Sequence, residues 1–238
     1  MRPAPMFVLL AAALSLAPSL CRADDDEALP PVRASRVRVM GDFGARWRLD
    51  PAHTAFDNTN GGFAAGLALW VDLNNPDAPF VLGLEAGVTA TGNEGSLRGA
   101  YQTSLGAVVP QVGLIARWQP LDWLAPYARV AGGFGYNTWR LTPNNGGDTL
   151  GSEAFNGVGT AGLGVLVQTP RIFRRAGWRG GRLLLSVESG MTFASDVDIT
   201  AGPPAGDPDP ELLPVEPTSL GTVNASGPYL RVLVGLAL

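Results

Sequence analysis

Lysine is absent, and all 17 basic residues are arginine. Codon usage explains that without a functional role. There is one cysteine, Cys21, and one histidine, His53. Metal sites need His, Cys or clustered carboxylates at ligand spacing, so few candidates exist. Charged residues are only 16% and the formal net charge is −4. That excludes the basic patch a nucleic-acid interface requires. No stretch past the N-terminus reaches the ~18 uninterrupted apolar residues of a membrane-spanning helix. No Gly-x-Ser-x-Gly nucleophile elbow is present either.

What the chain does have is glycine, 31 of 238 residues, and an alternation of period two. The last ten residues show it best. Leu230, Val232, Val234, Leu236 and Leu238 share one face; Tyr229, Arg231, Leu233, Gly235 and Ala237 share the other. A period of two means a strand with one oily face. Ten residues tilted by about 45° is roughly the length that crosses a bilayer.

The same pattern predicts strands at Ser35–Leu49, Phe63–Leu73, Phe80–Ala90, Leu105–Trp118, Tyr127–Leu141, Phe155–Val167, Arg182–Phe193 and Tyr229–Leu238. Two irregularities are expected. Pro110 cannot donate to a ladder and argues for a bulge or an edge. Trp139 falls on the polar side and Arg140 on the oily one, which argues for a bulge or strand exit. The connections at 50–62, 91–103, 142–154 and 196–226 read as polar loops. The last is rich in proline and acids and reads as a mobile, solvated segment. The connections at 74–79, 119–126 and 170–181 are shorter on average.

The N-terminus reads as a signal peptide over residues 1–23. Arg2 is its positive end, Phe7 to Ala17 its apolar core and Ala23 its small cleavage residue. Residues 24–34 form an acidic leader, and 35–238 the folded unit. Cleavage would remove the only thiol, which suits an oxidising compartment.

Eight two-faced strands could make a soluble or a membrane barrel, and the charges decide. A water-facing exterior is normally dense in charge. Here the less oily faces carry few charges among many Gly, Ala, Thr and Gln, which suits a narrow lumen. The ionisable residues there are Arg38, Asp42, Arg46, Asp72, Glu85, Arg117, Arg129, Glu188 and Arg231. Enclosed, such residues must pair, and both signs are present. The expected fold is therefore all-β: an eight-stranded antiparallel up-and-down transmembrane barrel. Trp47, Trp118, Trp123 and Tyr127 are placed for an aromatic girdle.

The signal peptide, the Gly-rich strands, the segment Tyr127-Ala128-Arg129-Val130-Ala131-Gly132-Gly133-Phe134-Gly135-Tyr136 and the alternating C-terminal strand together resemble small bacterial outer-membrane barrels. These are of the OmpA, OmpX, OmpW and opacity-protein kind. The resemblance covers about residues 35–238. It implies an outer-membrane location and a monomer surrounded by outer-membrane lipid and lipopolysaccharide. It also implies recognition by the outer-membrane insertion machinery through the C-terminal strand, which ends on Leu238 where the family carries an aromatic. The cell-wall binding of OmpA-like proteins that carry a soluble domain after the barrel is not implied. The leading expectation is a structural or surface-interaction role through the outer loops, with paired charges plugging the lumen. A small channel for ions or hydrophobic solutes is the alternative. A third reading follows barrels that resemble lipid-modifying enzymes, with His53 at the outer rim; a lone solvated loop histidine is the plainer one. Asp207-Pro208-Asp209-Pro210-Glu211 reads as a solvated acidic loop. No catalytic residue, cofactor or metal is expected.

Overall fold

A computed structural model describes residues 36–50, 61–97, 99–146, 149–170, 181–201 and 218–237. The signal peptide, the acidic leader, His53, Asp207 to Glu211 and Leu238 lie outside the described residues. Ten strands run in chain order: β1 (Val37–Trp47), β2 (Gly61–Asp72), β3 (Phe80–Leu97), β4 (Tyr101–Trp118), β5 (Leu124–Pro143), β6 (Leu150–Gln168), β7 (Arg182–Ala194), β8 (Val197–Ala201), β9 (Thr218–Val223) and β10 (Gly227–Ala237). Eight of them close a barrel in the order β1-β10-β7-β6-β5-β4-β3-β2. Every pairing is antiparallel, and β10 closes the sheet against β1 through Arg38↔Ala237 to Arg46↔Tyr229. Closure leaves no edge strand within the ring.

The partition of side chains is inverted relative to a water-soluble barrel. Phe134 is 72% exposed and Leu163 70%, whereas Glu188 is fully buried and Arg129 is 2% exposed. Val39, Phe43, Leu67, Leu82, Val112, Val130, Val165 and Leu236 extend the apolar exterior around the ring. Such a surface in water would forfeit about 1.5–3 kcal/mol for each large side chain left uncovered. In lipid it costs nothing. This is the partition of a transmembrane β-barrel.

The strands fall into two length classes. β1, β2, β7 and β10 have 11 to 13 residues. β3 to β6 have 18 to 20. About 9–11 residues cross a bilayer, so the longer four overshoot. They do so at the end that carries the connections at 48–60 and 195–226, termed here the loop end. The outward residues there change character: Glu94 and Ser96 on β3, Gln102 on β4, Arg140 and Thr142 on β5 and Glu153 on β6 are polar and mostly exposed. A polar exterior marks the top of the apolar belt, and the extension stands in water.

This corrects three sequence expectations. Most of 91–103 and 142–154 is strand rather than loop: β3 runs on to Leu97, β4 begins at Tyr101, β5 runs on to Pro143 and β6 begins at Leu150. Ladder hydrogen bonds are made by backbone, so a strand that leaves the membrane persists after its oily face ends. Gly99 (φ 68°) supplies the positive φ of the first turn. The Trp139/Arg140 parity break is also absent. Leu105↔Trp139 and Ser104↔Arg140 stay in register; Trp139 simply continues on the inner face and Arg140 points out above the belt. At Pro110 there is no register shift: pairing stops at Val108↔Tyr136 and resumes in step at Gln111↔Gly133.

The stretch 196–226 is likewise not loop throughout. Its two ends, β8 and β9, form a separate two-stranded sheet. Their register shifts between Ile199 and Thr200, beside Gly221, whose φ of 111° only glycine adopts readily.

Candidate functional site: the lumen and its mouth

The inward-facing residues form layers along the barrel axis. At the turn end, where the short connections lie, Arg38 and Arg117 grip Asp72. Arg38 Nη1 donates to Asp72 Oδ2 and Arg117 Nη2 to Asp72 Oδ1, both at 2.6 Å. All three are within a residue or two of a strand end, on β1, β4 and β2.

Above them lies an apolar layer. Met40, Trp70, Ile115, Leu166, Leu184 and Leu233 are buried at 0–2% exposure and pack as one cluster with Tyr127. Leu233 is thus the one large aliphatic among the described residues of the last strand that faces inward. Trp70 and Tyr127 meet edge to face with ring centroids 5.4 Å apart.

The third layer is centred on Glu188 of β7. Arg231 of β10 forks onto it, Nε to Oε1 at 3.0 Å and Nη2 to Oε2 at 2.9 Å. The hydroxyl of Tyr127 donates to Oε2 at 2.8 Å and that of Tyr229 to Oε1 at 2.6 Å. Arg129 of β5 forks onto Glu85 of β3 at 2.6 and 2.7 Å. Its Nη1 donates to Thr160 Oγ1 at 2.8 Å and lies 3.8 Å from Glu188. Arg231 Nη1 is also 3.8 Å from Asp42 of β1. One connected network therefore joins β1, β3, β5, β6, β7 and β10. Bidentate forks of this kind are the strong form of the arginine–carboxylate pair.

Of the nine ionisable residues expected in the lumen, eight stand in these ion pairs. Arg46 faces inward but has no carboxylate within pairing distance among the described residues. The expectation that every member pairs is corrected at that residue. Five arginines face four carboxylates, and Arg46 is the surplus.

Tyr127 is a second correction. It is 4% exposed and belongs to the lumen, not to a girdle. Trp47, Trp118 and Trp123 are outward and 43–49% exposed, as a girdle needs. Sequence reasoning did not pick out Tyr127 and Tyr229 as partners of Glu188, yet a signal was there. Tyr127-Ala128-Arg129 and Tyr229-Leu230-Arg231 repeat a Tyr-x-Arg spacing, and a separation of two puts tyrosine and arginine on the same face. Room for the rings comes from β6. A Cβ on Gly164 would collide with the Tyr127 ring, and one on Gly162 with the Tyr229 hydroxyl.

Towards the loop end the lumen opens into a chamber of about 670 Å³, counting the space open to solvent. Its walls include Leu105, Val109 and Val158, and its roof is the β8–β9 hairpin. Ile199 and Val223 of the hairpin are buried against Trp139, with Leu105 and Leu141 alongside. Ser152 and Thr200 share a 3.2 Å hydrogen bond across to β6. The hairpin base is pinned by Asn224, whose amide donates to the Ala194 carbonyl at 2.9 Å and to Asp196 Oδ1 at 2.7 Å. Its backbone N–H donates to Asp50 Oδ2 at 2.8 Å.

No group of three or more His, Cys, Asp or Glu residues able to hold a metal occurs among the described residues. The enzyme reading would require His53, which lies outside them.

No protein-family profile matches the sequence, and no curated protein matches it. Solved structures do match in shape. One is Ail, the attachment invasion locus protein of Yersinia pestis, at 10% identity and a TM-score of 0.44, covering 86% of this chain and 99% of that one. Another is a major outer membrane protein from Thermus thermophilus, at 13% identity and a TM-score of 0.43, covering 84% and 97%. The chain itself is an eight-stranded antiparallel transmembrane barrel with a layered lumen and a roofed mouth.

Proposed function

We propose that this protein is an outer-membrane barrel whose lumen is closed by its own side chains. It works through what it raises at the loop end, in a structural or surface-interaction role. The observation that carries the reading is the Glu188 network lying directly on the apolar layer of Met40, Trp70, Ile115, Leu166, Leu184 and Leu233. An eight-stranded barrel encloses a space that side chains can nearly fill. A permeating ion would have to lose its hydration among those apolar groups or break bidentate pairs enclosed between six strands, and either step is expensive.

The reading is supported further by where the polar surface lies. The four long strands and the β8–β9 hairpin lift it beyond the apolar belt, where a partner outside the membrane would meet it. The belt itself contacts outer-membrane lipid and lipopolysaccharide, and the molecule acts as a monomer delivered by the outer-membrane insertion machinery. Planar-bilayer recording tests the closed lumen. Pure protein gives no steady unit conductance, and a reproducible single-channel step refutes the reading. Fractionation of the envelope tests the location, with recovery in the outer-membrane fraction expected.

A further inference from the structure

We infer that the chamber beneath the β8–β9 hairpin is a binding site for a small amphipathic carboxylic acid, held head-down with its chain against the apolar walls. The inference goes beyond the closed-lumen reading and does not depend on it, because the chamber lies above the charged layer.

Three observations converge there. The first is the lining. Leu105, Val109, Val158, Ile199 and Val223 make the walls and roof chiefly apolar. Ligand sites are typically lined in this way, with a few placed polar groups that fix orientation.

The second is a set of unsatisfied donors. Three of the lining residues, Arg46, Thr192 and Trp139, hold a buried polar atom with no hydrogen-bond partner among the described residues: Arg46 Nε, Thr192 Oγ1 and Trp139 Nε1. Thr192 is fully buried and Trp139 is 5% exposed. Buried donors normally find acceptors, and leaving one unmade costs about 1–3 kcal/mol. Other polar groups of the same wall are served. Asn137 donates to Asn156 at 2.9 Å, and Asn156 to the Ser195 carbonyl at 3.1 Å. All three unmet groups can donate, so the missing partner is an acceptor.

The third is charge. Arg46 has no carboxylate within pairing distance among the described residues, Arg48 is a second buried arginine on the chamber wall, and Arg46 also lines the smaller cavity that Asp42 and Arg231 share. It therefore marks the floor of the chamber. A carboxylate there would take the Arg46 guanidinium and the Thr192 hydroxyl on its two oxygens, which together accept about four hydrogen bonds. An uncharged apolar ligand would leave those donors unmet, and an anion without a chain would leave the walls wet. The indole N–H of Trp139 near the roof reports on occupancy.

The test uses the whole protein in lipid nanodiscs with ¹⁵N-labelled tryptophan. Sodium decanoate is the probe, with sodium acetate and 1-decanol as controls lacking chain or charge. The Trp139 indole signal, identified by its loss in Trp139→Phe, should shift saturably with decanoate and not with acetate. Arg46→Met should weaken decanoate by about tenfold or more, the loss expected for a hydrogen bond to a charged group. It should leave the response to decanol unaltered. Thr192→Val serves as a second variant if Arg46→Met does not fold, and should weaken decanoate in the same direction. The absence of a saturable shift overturns the site. Equal affinity in wild type and a folded floor variant overturns the assigned chemistry, as does decanol binding as well as decanoate.

Discussion

Replacing Glu188 by alanine probes the inside of the barrel most sharply. Glu188 is fully buried and accepts four hydrogen bonds, two from Arg231 and one each from Tyr127 and Tyr229. Its loss strands Arg231, which is 7% exposed and keeps only Asp42 at 3.8 Å. Breaking a buried pair from one side costs about 3–5 kcal/mol. Two tyrosine hydroxyls also lose their carboxylate acceptor, which places the cost in the upper part of that range. Glu94→Ala removes an equal charge from the exposed outer face of β3 and should change stability by less than about 0.5 kcal/mol. Equilibrium urea unfolding in lipid vesicles, followed by tryptophan fluorescence, measures both. The double variant Glu188→Leu/Arg231→Met should cost less than its two single changes combined, because no uncompensated charge remains. Equal effects of Glu188→Ala and Glu94→Ala would refute the inside–outside assignment.

Other consequences follow from the same geometry. Asp72→Ala should destabilise by about 3–5 kcal/mol, since it leaves Arg38 and Arg117 facing each other at the turn end; a lowered temperature of band conversion on unheated gels would show it. Gly164→Ala should cost about 1–3 kcal/mol by driving a methyl into the Tyr127 ring, and that cost should largely vanish when the same change is made in a Tyr127→Ala background. Ile199→Asp should release the β8–β9 hairpin from Trp139 and speed proteolysis within 196–226 while the barrel keeps its heat-modifiable mobility. An unchanged cleavage rate would mean that the roof is held by something other than this apolar contact.

The barrel itself was legible in the sequence because lipid on one side and a narrow lumen on the other impose strict alternation. Val37 to Trp47 and Tyr229 to Ala237 keep that parity without a break, and so does the charge placement that follows from it. What stood above the membrane was not legible. There the outer face of a strand no longer meets lipid, so Gly92 to Ser96 and Thr142 carry no oily periodicity, although their backbones pair as before. The hairpin strand β8 did leave a trace in Val197-Asp198-Ile199-Thr200, but four residues inside a proline-rich, acidic stretch are outweighed by their surroundings. Tyr127 was misplaced for a different reason. An aromatic near a strand end suits a girdle, and only the identity of the residue two places on, Arg129, points it inward.

The account rests on which face of the sheet meets lipid, and spin-label accessibility measures that directly. In a Cys21→Ala background, a nitroxide at Leu163→Cys, on the 70%-exposed outer face of β6, should be relaxed by oxygen and shielded from a water-soluble nickel complex in reconstituted vesicles. A nitroxide at Gln102→Cys, on the polar extension of β4, should show the reverse. A label at position 163 that nickel reaches as freely as the one at 102 would contradict the assignment of lipid to the outer face.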